Sequence, residues 1–302
     1  MKKIYVTGSS GLVGSRFVEL YSKKYNLFTP DYPQVDITKR EDVEKLLKKE
    51  KPGVIIHLAA YTNVGEGEKQ RDDKNGDCWK VNVIGTENLV SSIDPDKTLY
   101  IHISTDMVFE GSAQDPGPYS EDHLPESDSS KLTWYGYTKA QAEKEVKKYL
   151  GENSSIVRII YPVRARYDIK MDYLAKPLSL FDQGKLYPLF DDQQVSIAFI
   201  DEIAHALDKI IDKNLKGIFH VSSRDTTTPY ELISYLIKKA RGREGVTKPS
   251  SLKDFPKTAD NPVRYPMYGG LKVDKTEEAL EMKFRSWKEI VDEIVRQQRS
   301  II

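Results

Sequence analysis

Gly8, Gly11 and Gly14 recur at every third position between an apolar triplet, Ile4-Tyr5-Val6, and an amphipathic run that starts at Leu12. A strand that turns at once into a helix needs small residues at such positions. They allow the tight turn, let strand and helix pack closely, and let the backbone approach a bound pyrophosphate. The N–H groups and partial positive charge of the helix N-terminus then face the phosphates. A tight strand–helix turn without a ligand is the plain alternative. In the phosphate-binding reading, Gly8, Gly11 and Gly14 and the helix N-terminus form the cradle.

The chain beyond this loop keeps the same rhythm. Leu12 to Tyr25 reads as a helix, with a short run at Asn26-Leu27-Phe28. Arg40 to Glu50 places Val43, Leu46 and Leu47 on one helical face. Val54 to Ala60 is nearly continuous apolar sequence, as a strand covered on both sides requires. A helical stretch spans Trp79 to Ile93. The strand Leu99 to Ile103, a helix from Tyr135 to Tyr149 and the strand Ile156 to Ile160 come next. Strands alternating with helices predict an α/β fold, a Rossmann-like doubly wound parallel sheet. Residues 1–162, with 192–222 returning, are expected to form the nucleotide-binding domain. Residues 163–191 and 223–302 are expected to form a smaller C-terminal substrate-binding domain. There Thr228 is placed to cap a helix from Pro229 to Ala240, and Trp287, Ile290, Val291, Ile294 and Val295 make a helical stripe. The stretch 111–133, rich in Gly, Pro, Ser and Asp, reads as a long loop, a length usually tied to function.

Asp31 lies 17 residues after Gly14. A carboxylate at the end of the second strand accepts hydrogen bonds from an adenosine ribose and repels a 2′-phosphate, favouring NADH over NADPH; a solvated turn aspartate is the alternative. Asp36 and Ile37 are placed for the adenine edge, with helix capping as the alternative for Asp36.

Tyr135 and Lys139 stand four apart at a helix start and so share one face. An ammonium beside a phenol favours the phenolate and lets the tyrosine exchange a proton with a carbonyl or hydroxyl. Ser104-Thr105-Asp106 ends a strand, and ligands of doubly wound sheets sit at carboxyl ends of strands. Thr105 is therefore placed to hydrogen-bond a substrate oxygen and Asp106 a neighbouring hydroxyl, a polar strand-end cap being the alternative.

Taken together, Gly8-x-x-Gly11-x-x-Gly14, Ser104-Thr105-Asp106 and Tyr135-x-x-x-Lys139 resemble an extended short-chain dehydrogenase/reductase. Within that superfamily the chain looks most like the dTDP-4-dehydrorhamnose reductases. Leu58 to Val64, Val81 to Thr86, Ser104 to Gly111, Asp192-Gln193 and Gly217 to Val221 also match. The resemblance implies hydride transfer from NADPH or NADH to the C4 ketone of a nucleotide-linked 6-deoxy-sugar. It assigns Tyr135 as proton donor, Lys139 as the group that lowers its pKa and holds the nicotinamide ribose, and Thr105 as the polariser of the ketone. It sets Ser10, Gly11, Leu12 and Val13 against the pyrophosphate, adds Leu58, Ala59, Ala60, Tyr61, Asn82 and Ile103 to the cofactor wall, and turns Asp106 and Tyr161 to the substrate. A homodimer is expected by analogy.

This chain departs from the family pattern on the substrate side. Met107 replaces an aromatic, the interval from Thr105 to Tyr135 carries extra residues, and Tyr161-Pro162 stands where many members carry tryptophan and an aliphatic residue. A sugar-nucleotide 4-epimerase remains open. So does a non-catalytic NAD(P)-binding regulatory subunit resembling the methionine adenosyltransferase β subunit. A dehydratase fits less well, because Met107 fills the slot of its glutamate. Arg158, Arg164, Arg166 and Arg264 are candidates for a diphosphate, against ordinary surface roles. His57, His102 and His220 lie in apolar runs and read as hydrogen-bonded core.

Lys+Arg and Asp+Glu both count 46, so net charge argues for neither a nucleic-acid nor a membrane-surface partner. The single cysteine, Cys78, excludes an intramolecular disulfide framework, and no His/Asp/Glu cluster has metal-ligand spacing. Residues 1–8 hold too short an apolar stretch for a signal peptide, and no run is long enough to span a bilayer. A cytoplasmic location is the default expectation.

Overall fold

The structure, a computed structural model, describes residues 1–255 and 265–299. Six parallel strands form the central sheet: β1 (Lys3–Thr7), β2 (Asn26–Phe28), β3 (Val54–His57), β4 (Leu99–Thr105), β5 (Ser154–Ile159) and β6 (Gly217–Val221). Their order is β2-β1-β3-β4-β5-β6. The chain leaves β1 toward β2, then crosses back to β3 on the other side of β1. That reversal opens a crevice beyond the carboxyl ends of β1 and β3, where doubly wound sheets hold ligands.

The period of two within each strand builds two cores, one on each face of the sheet. Ile4, Val6, Ile56, Ile101, Val157 and Phe219 pack against Phe17 of α1 (Leu12–Tyr21) and Ile203, Leu207 and Ile210 of α6 (Ile200–Lys213). Tyr5, Ile55, Tyr100 and Ile156 point the other way. They meet Val43 and Leu47 of α2 (Arg40–Glu50), Leu89 of α3 (Gly85–Val90), and Val146 and Leu150 of α4 (Trp134–Leu150). A third core joins α5 (Ala175–Asp182), α7 (Pro229–Arg241) and α8 (Trp287–Arg299) through Leu178, Leu232, Leu236, Trp287, Ile290 and Ile294. Thr228 caps α7 with a full capping box to Glu231. No described helix is long and apolar enough to cross a membrane.

Three elements differ from the sequence expectation, each for a local reason. The first helix stops at Tyr21, and Lys24 and Tyr25 turn back to hydrogen-bond the Tyr21 carbonyl. The third strand ends at His57 instead of Ala60, because Leu58 and Ala59 give their N–H groups to the Thr7 hydroxyl and pass over Gly8. The helix expected over residues 79–93 is interrupted by a π turn at Lys80–Ile84. Asn82 lies within that turn, and its carbonyl accepts from the Thr86 hydroxyl at 2.7 Å. Such turns commonly carry functional or positioning side chains. The 111–133 stretch is mostly irregular, and Tyr119 anchors it by stacking on Phe109 at 4.2 Å.

Candidate active site

A cavity of about 1000 Å³ opens at the crevice between β1 and β3. The glycine loop forms one end. Gly8 has φ +66°, and a Cβ there would stand 2.6 Å from Ala59 N; at Gly14 it would stand 2.3 Å from Gly8 O. Only glycine fits at either position. Gly11 is the N-cap of α1 and offers no capping side chain, so the first-turn N–H groups are left to a ligand. Ser10, Leu12 and Val13 complete this wall.

Asp31 reaches the loop from the end of β2. Its carboxylate accepts from Gly8 N at 2.6 Å, Ser10 N at 3.1 Å and the Ser9 hydroxyl at 2.7 Å. It is thus a fixed part of the loop and not a solvated turn residue. Asp36 and Ile37 line the same side. Asp36 also accepts from the Thr38 N–H and hydroxyl, and Ile37 fills the space left by Gly85.

The opposite end gathers Ile103, Thr105 and Asp106 from the end of β4 with Tyr135 and Lys139 from α4. Gly136 makes this approach possible, since a Cβ there would lie 2.1 Å from Met107 O. The Thr133 hydroxyl caps α4 by accepting from Gly136 N at 3.0 Å. Tyr135 and Lys139 then fall on successive turns facing the strand end. The Thr105 hydroxyl donates to Asp106 Oδ1 at 3.1 Å.

Burial dominates the electrostatics. The Asp106 carboxyl is pushed up to about 7 by desolvation, against hydrogen bonds from Thr105 and the backbone. The phenol of Tyr135 is raised well above its ordinary value, first by burial and then by Asp106, while the Thr105 hydroxyl pulls the other way. The Lys139 ammonium is lowered to about 8 by burial, against the attraction of Glu143. Its Nζ donates to Ile103 O at 2.7 Å and meets His102 Nε2 at 3.2 Å. Burial and Asp106 thus keep the phenol in its protonated form.

Asp106 also gives a stability signature. Between an ordinary carboxyl value of 3.8 and the folded value of about 7, the folded chain holds a proton that the unfolded chain releases. Its contribution to stability therefore declines as pH rises through that window. Asp106→Asn is expected to remove this decline, read by urea unfolding at either end of the window. An unchanged slope in the variant contradicts the assignment.

Leu58, Ala59 and Ala60 line the middle of the cavity, and Tyr161 lines the far side. Tyr61 and Asn82 do not reach it. The Tyr61 hydroxyl accepts from Gln70, and its backbone is held by Asn82, whose side chain accepts from Tyr61 N at 2.8 Å and donates to Tyr61 O at 3.2 Å. Asn82 thus shapes the wall without being part of it.

The arginines also differ from expectation. Arg158 is fully buried and paired through two nitrogens with Glu143, at 3.0 and 2.7 Å, so it is neither a diphosphate ligand nor a surface residue. Arg164 donates to the Ser15 hydroxyl at 3.0 Å on α1, and exposed Arg166 pairs with Asp168. Arg264 lies outside the described residues. His57 and His220 are hydrogen-bonded core, to Thr7 and Thr86 and to Lys272 O respectively. Among the described residues no group of three or more His, Cys, Asp or Glu could hold a metal ion.

Sequence reasoning missed the wall supplied by residues 167–176. Tyr167, Lys170, Met171, Tyr173 and Lys176 line the cavity, and Tyr173 stacks on Tyr161 at 4.1 Å. The Tyr167 hydroxyl donates to Ser10 O, tying this segment to the glycine loop. The segment has no period or spaced motif, and its cluster of tyrosines was its one signal.

Comparison with known proteins gives this arrangement a family. A family profile described as the RmlD substrate binding domain matches residues 1–300. The chain belongs to that family. A relative described as a probable low-salt glycan biosynthesis reductase, Agl14 of Haloferax volcanii, is 28% identical over 274 residues, covering 86% of this chain and 87% of that protein. A dTDP-4-dehydrorhamnose reductase of Aggregatibacter actinomycetemcomitans is 24% identical over 304 residues, covering 97% and 98%. A dTDP-4-dehydrorhamnose reductase from Bacillus anthracis, solved in complex with NADP, superimposes with a TM-score of 0.84 at 24% identity, covering 98% and 100% of the two chains. That likeness establishes the Rossmann-like fold of this RmlD-family chain.

Proposed function

We propose that this RmlD-family chain is a reductase that uses NADH or NADPH to reduce the C4 ketone of a nucleotide-linked 6-deoxy-sugar. One observation carries the reading: Thr105, Asp106, Tyr135 and Lys139 share a single cavity with a glycine loop shaped for a pyrophosphate. Family membership and the names of the reductase relatives support it.

The loop fits a dinucleotide because Gly8 and Gly14 leave no room for a Cβ and the N-terminus of α1 carries no side-chain cap. A reduced nicotinamide, when bound, supplies the hydride. The residues of the chain do the rest. With substrate in place the Thr105 hydroxyl turns its proton from Asp106 Oδ1 to the ketone oxygen and polarises it. The Tyr135 phenol, protonated at neutral pH, donates its proton to the same oxygen as negative charge develops there. The Lys139 ammonium adds positive charge beside that oxygen and a donor for the nicotinamide ribose. Asp106 accepts from a neighbouring sugar hydroxyl, and Tyr161 faces the ring. In this reading residues 1–162 and 192–222 bind the cofactor, and 163–191 with 223–302 supply the substrate side.

Asp31 sets the cofactor preference. In this reading its carboxylate, held by Gly8, Ser9 and Ser10, repels a 2′-phosphate on the cofactor's ribose. NADH should be the better cofactor. Asp31→Ser is expected to shift the ratio of kcat/KM values toward NADPH by about tenfold or more, since one unfavourable charge contact of about 1.4 kcal/mol corresponds to a factor of ten. Initial rates with each cofactor check this, and an unchanged ratio contradicts it.

The function itself is tested by the loss of reduced-nicotinamide absorbance. dTDP-4-keto-6-deoxyglucose is generated in situ, with and without the 3,5-epimerase. Oxidation dependent on the sugar nucleotide supports the reading. Cofactor binding without turnover rejects it in favour of an epimerase or a partner-dependent binding protein.

A further inference from the structure

His102 lies on β4 immediately before Ile103 and is completely buried. Its Nε2 stands 3.2 Å from Lys139 Nζ. An ammonium has only donors, so Nε2 accepts and the ring hydrogen of the neutral imidazole sits on Nδ1. That Nδ1 is buried without a hydrogen-bond partner, as is the Tyr100 hydroxyl on the same strand. An unpartnered buried N–H destabilises a fold. Packing alone therefore gives no reason for a histidine here, whereas contact with Lys139 does.

We propose that His102 is a positioning residue for the reduction: with the Ile103 carbonyl it engages two of the three N–H groups of Lys139 and leaves the third for the cavity beside Tyr135. This rests on the reductase reading of the site. A lysine stem turns freely about its single bonds, and two acceptors from adjacent residues of one strand fix its direction. The same acceptors stabilise the charged form that burial disfavours.

The groups facing Lys139 are few. On its own helix they are Glu143, paired with Arg158 of β5, and Tyr135. From β4 and the turn after it come His102 and Asp106, and from β3 comes His57, whose ring lies 5.5 Å from that of His102. His102 is itself held neutral, first by burial and then by Lys139 and His57. It can therefore accept from the ammonium without competing for its proton.

The test compares three variants. His102→Leu removes the acceptor. His102→Gln keeps an amide oxygen in reach, and His102→Asn keeps the amide but stops one methylene short. His102→Leu is expected to lower kcat about tenfold or more, with KM for the sugar nucleotide unchanged and the alkaline limb of kcat moved about one pH unit lower. His102→Gln should restore both. A merely structural histidine would alter thermal stability and leave the limb in place. If His102→Leu does not fold, the Asn and Gln variants carry the comparison, and Asn should behave as the loss. Wild-type kcat and pH limb in His102→Leu, or equal behaviour of Asn and Gln, would overturn the proposal.

NADH affinity, followed by fluorescence over the same pH range, separates this outcome from failure of the reductase reading. If the wild-type chain binds NADH and reduces no sugar nucleotide, the reductase reading fails. The His102–Lys139 coupling then stands if the alkaline loss of NADH affinity moves to lower pH in His102→Leu and returns in His102→Gln. It falls if that loss does not move.

Discussion

Tyr135→Phe is expected to lower kcat by ~10²–10⁴-fold, the range over which a positioned general acid acts. The substitution keeps the ring that fills the wall between Thr105 and Lys139 and removes only the hydroxyl. Reduced-nicotinamide affinity and thermal stability should stay as in the wild type, because the cradle at Gly8 to Gly14 and the buried side of α4 are untouched. The raised pKa of the phenol sharpens the expectation. At neutral pH the tyrosine is an acid with its proton in place, the form that ketone reduction consumes. The alkaline limb of the wild-type profile should then follow Lys139, whose ammonium titrates at about 8. A variant that turns over at the wild-type rate would mean that Tyr135 is not the donor. It would favour a binding role for the chain.

The second large effect concerns stability. Glu143 and Arg158 are 1% and 0% exposed at their side chains and form a two-pronged pair. Arg158 also stands 4.9 Å over the Phe109 ring, and Glu143 accepts from the Ser104 hydroxyl at 2.6 Å, one residue before Thr105. Arg158→Leu leaves the Glu143 carboxylate buried without its partner and should destabilise the fold by ~3–5 kcal/mol. The double variant Glu143→Leu/Arg158→Leu should cost less than Arg158→Leu alone, because it removes the uncompensated charge. Urea unfolding of the three proteins checks this. A loss of about 1 kcal/mol or less for Arg158→Leu, the scale of an exposed pair, would contradict it.

The parts of the site that were legible in the sequence are those built from neighbouring residues. The glycine loop announces its strand–turn–helix by spacing alone, and Tyr135 and Lys139 share a helical face by arithmetic. Thr105 and Asp106 are placed by ending a buried strand at the carboxyl edge of the sheet. The alternation of apolar runs and amphipathic stretches carried the sheet and most helices for the same reason. The rest depends on contacts distant in sequence. Nothing local marks Arg158 as the partner of Glu143, or Lys139 as donating to Ile103 O and meeting His102. Asn82 and Tyr61 sit in matching segments, yet a π turn and a pair of side-chain hydrogen bonds make Asn82 a scaffold behind the wall. The segment 167–176 has no period to read, because packing against the glycine loop and Tyr161 shapes it instead of a regular element.

The most direct measurement uses reduced nicotinamide carrying deuterium at its transferable position, with the 4-keto sugar nucleotide as acceptor. Mass spectrometry and NMR of the sugar product locate the label. A single deuterium at C4 of a newly formed secondary alcohol is expected, present with the wild-type chain and lost with Tyr135→Phe. Product without deuterium at C4, or sugar nucleotide returned unreduced while the cofactor binds, would contradict it.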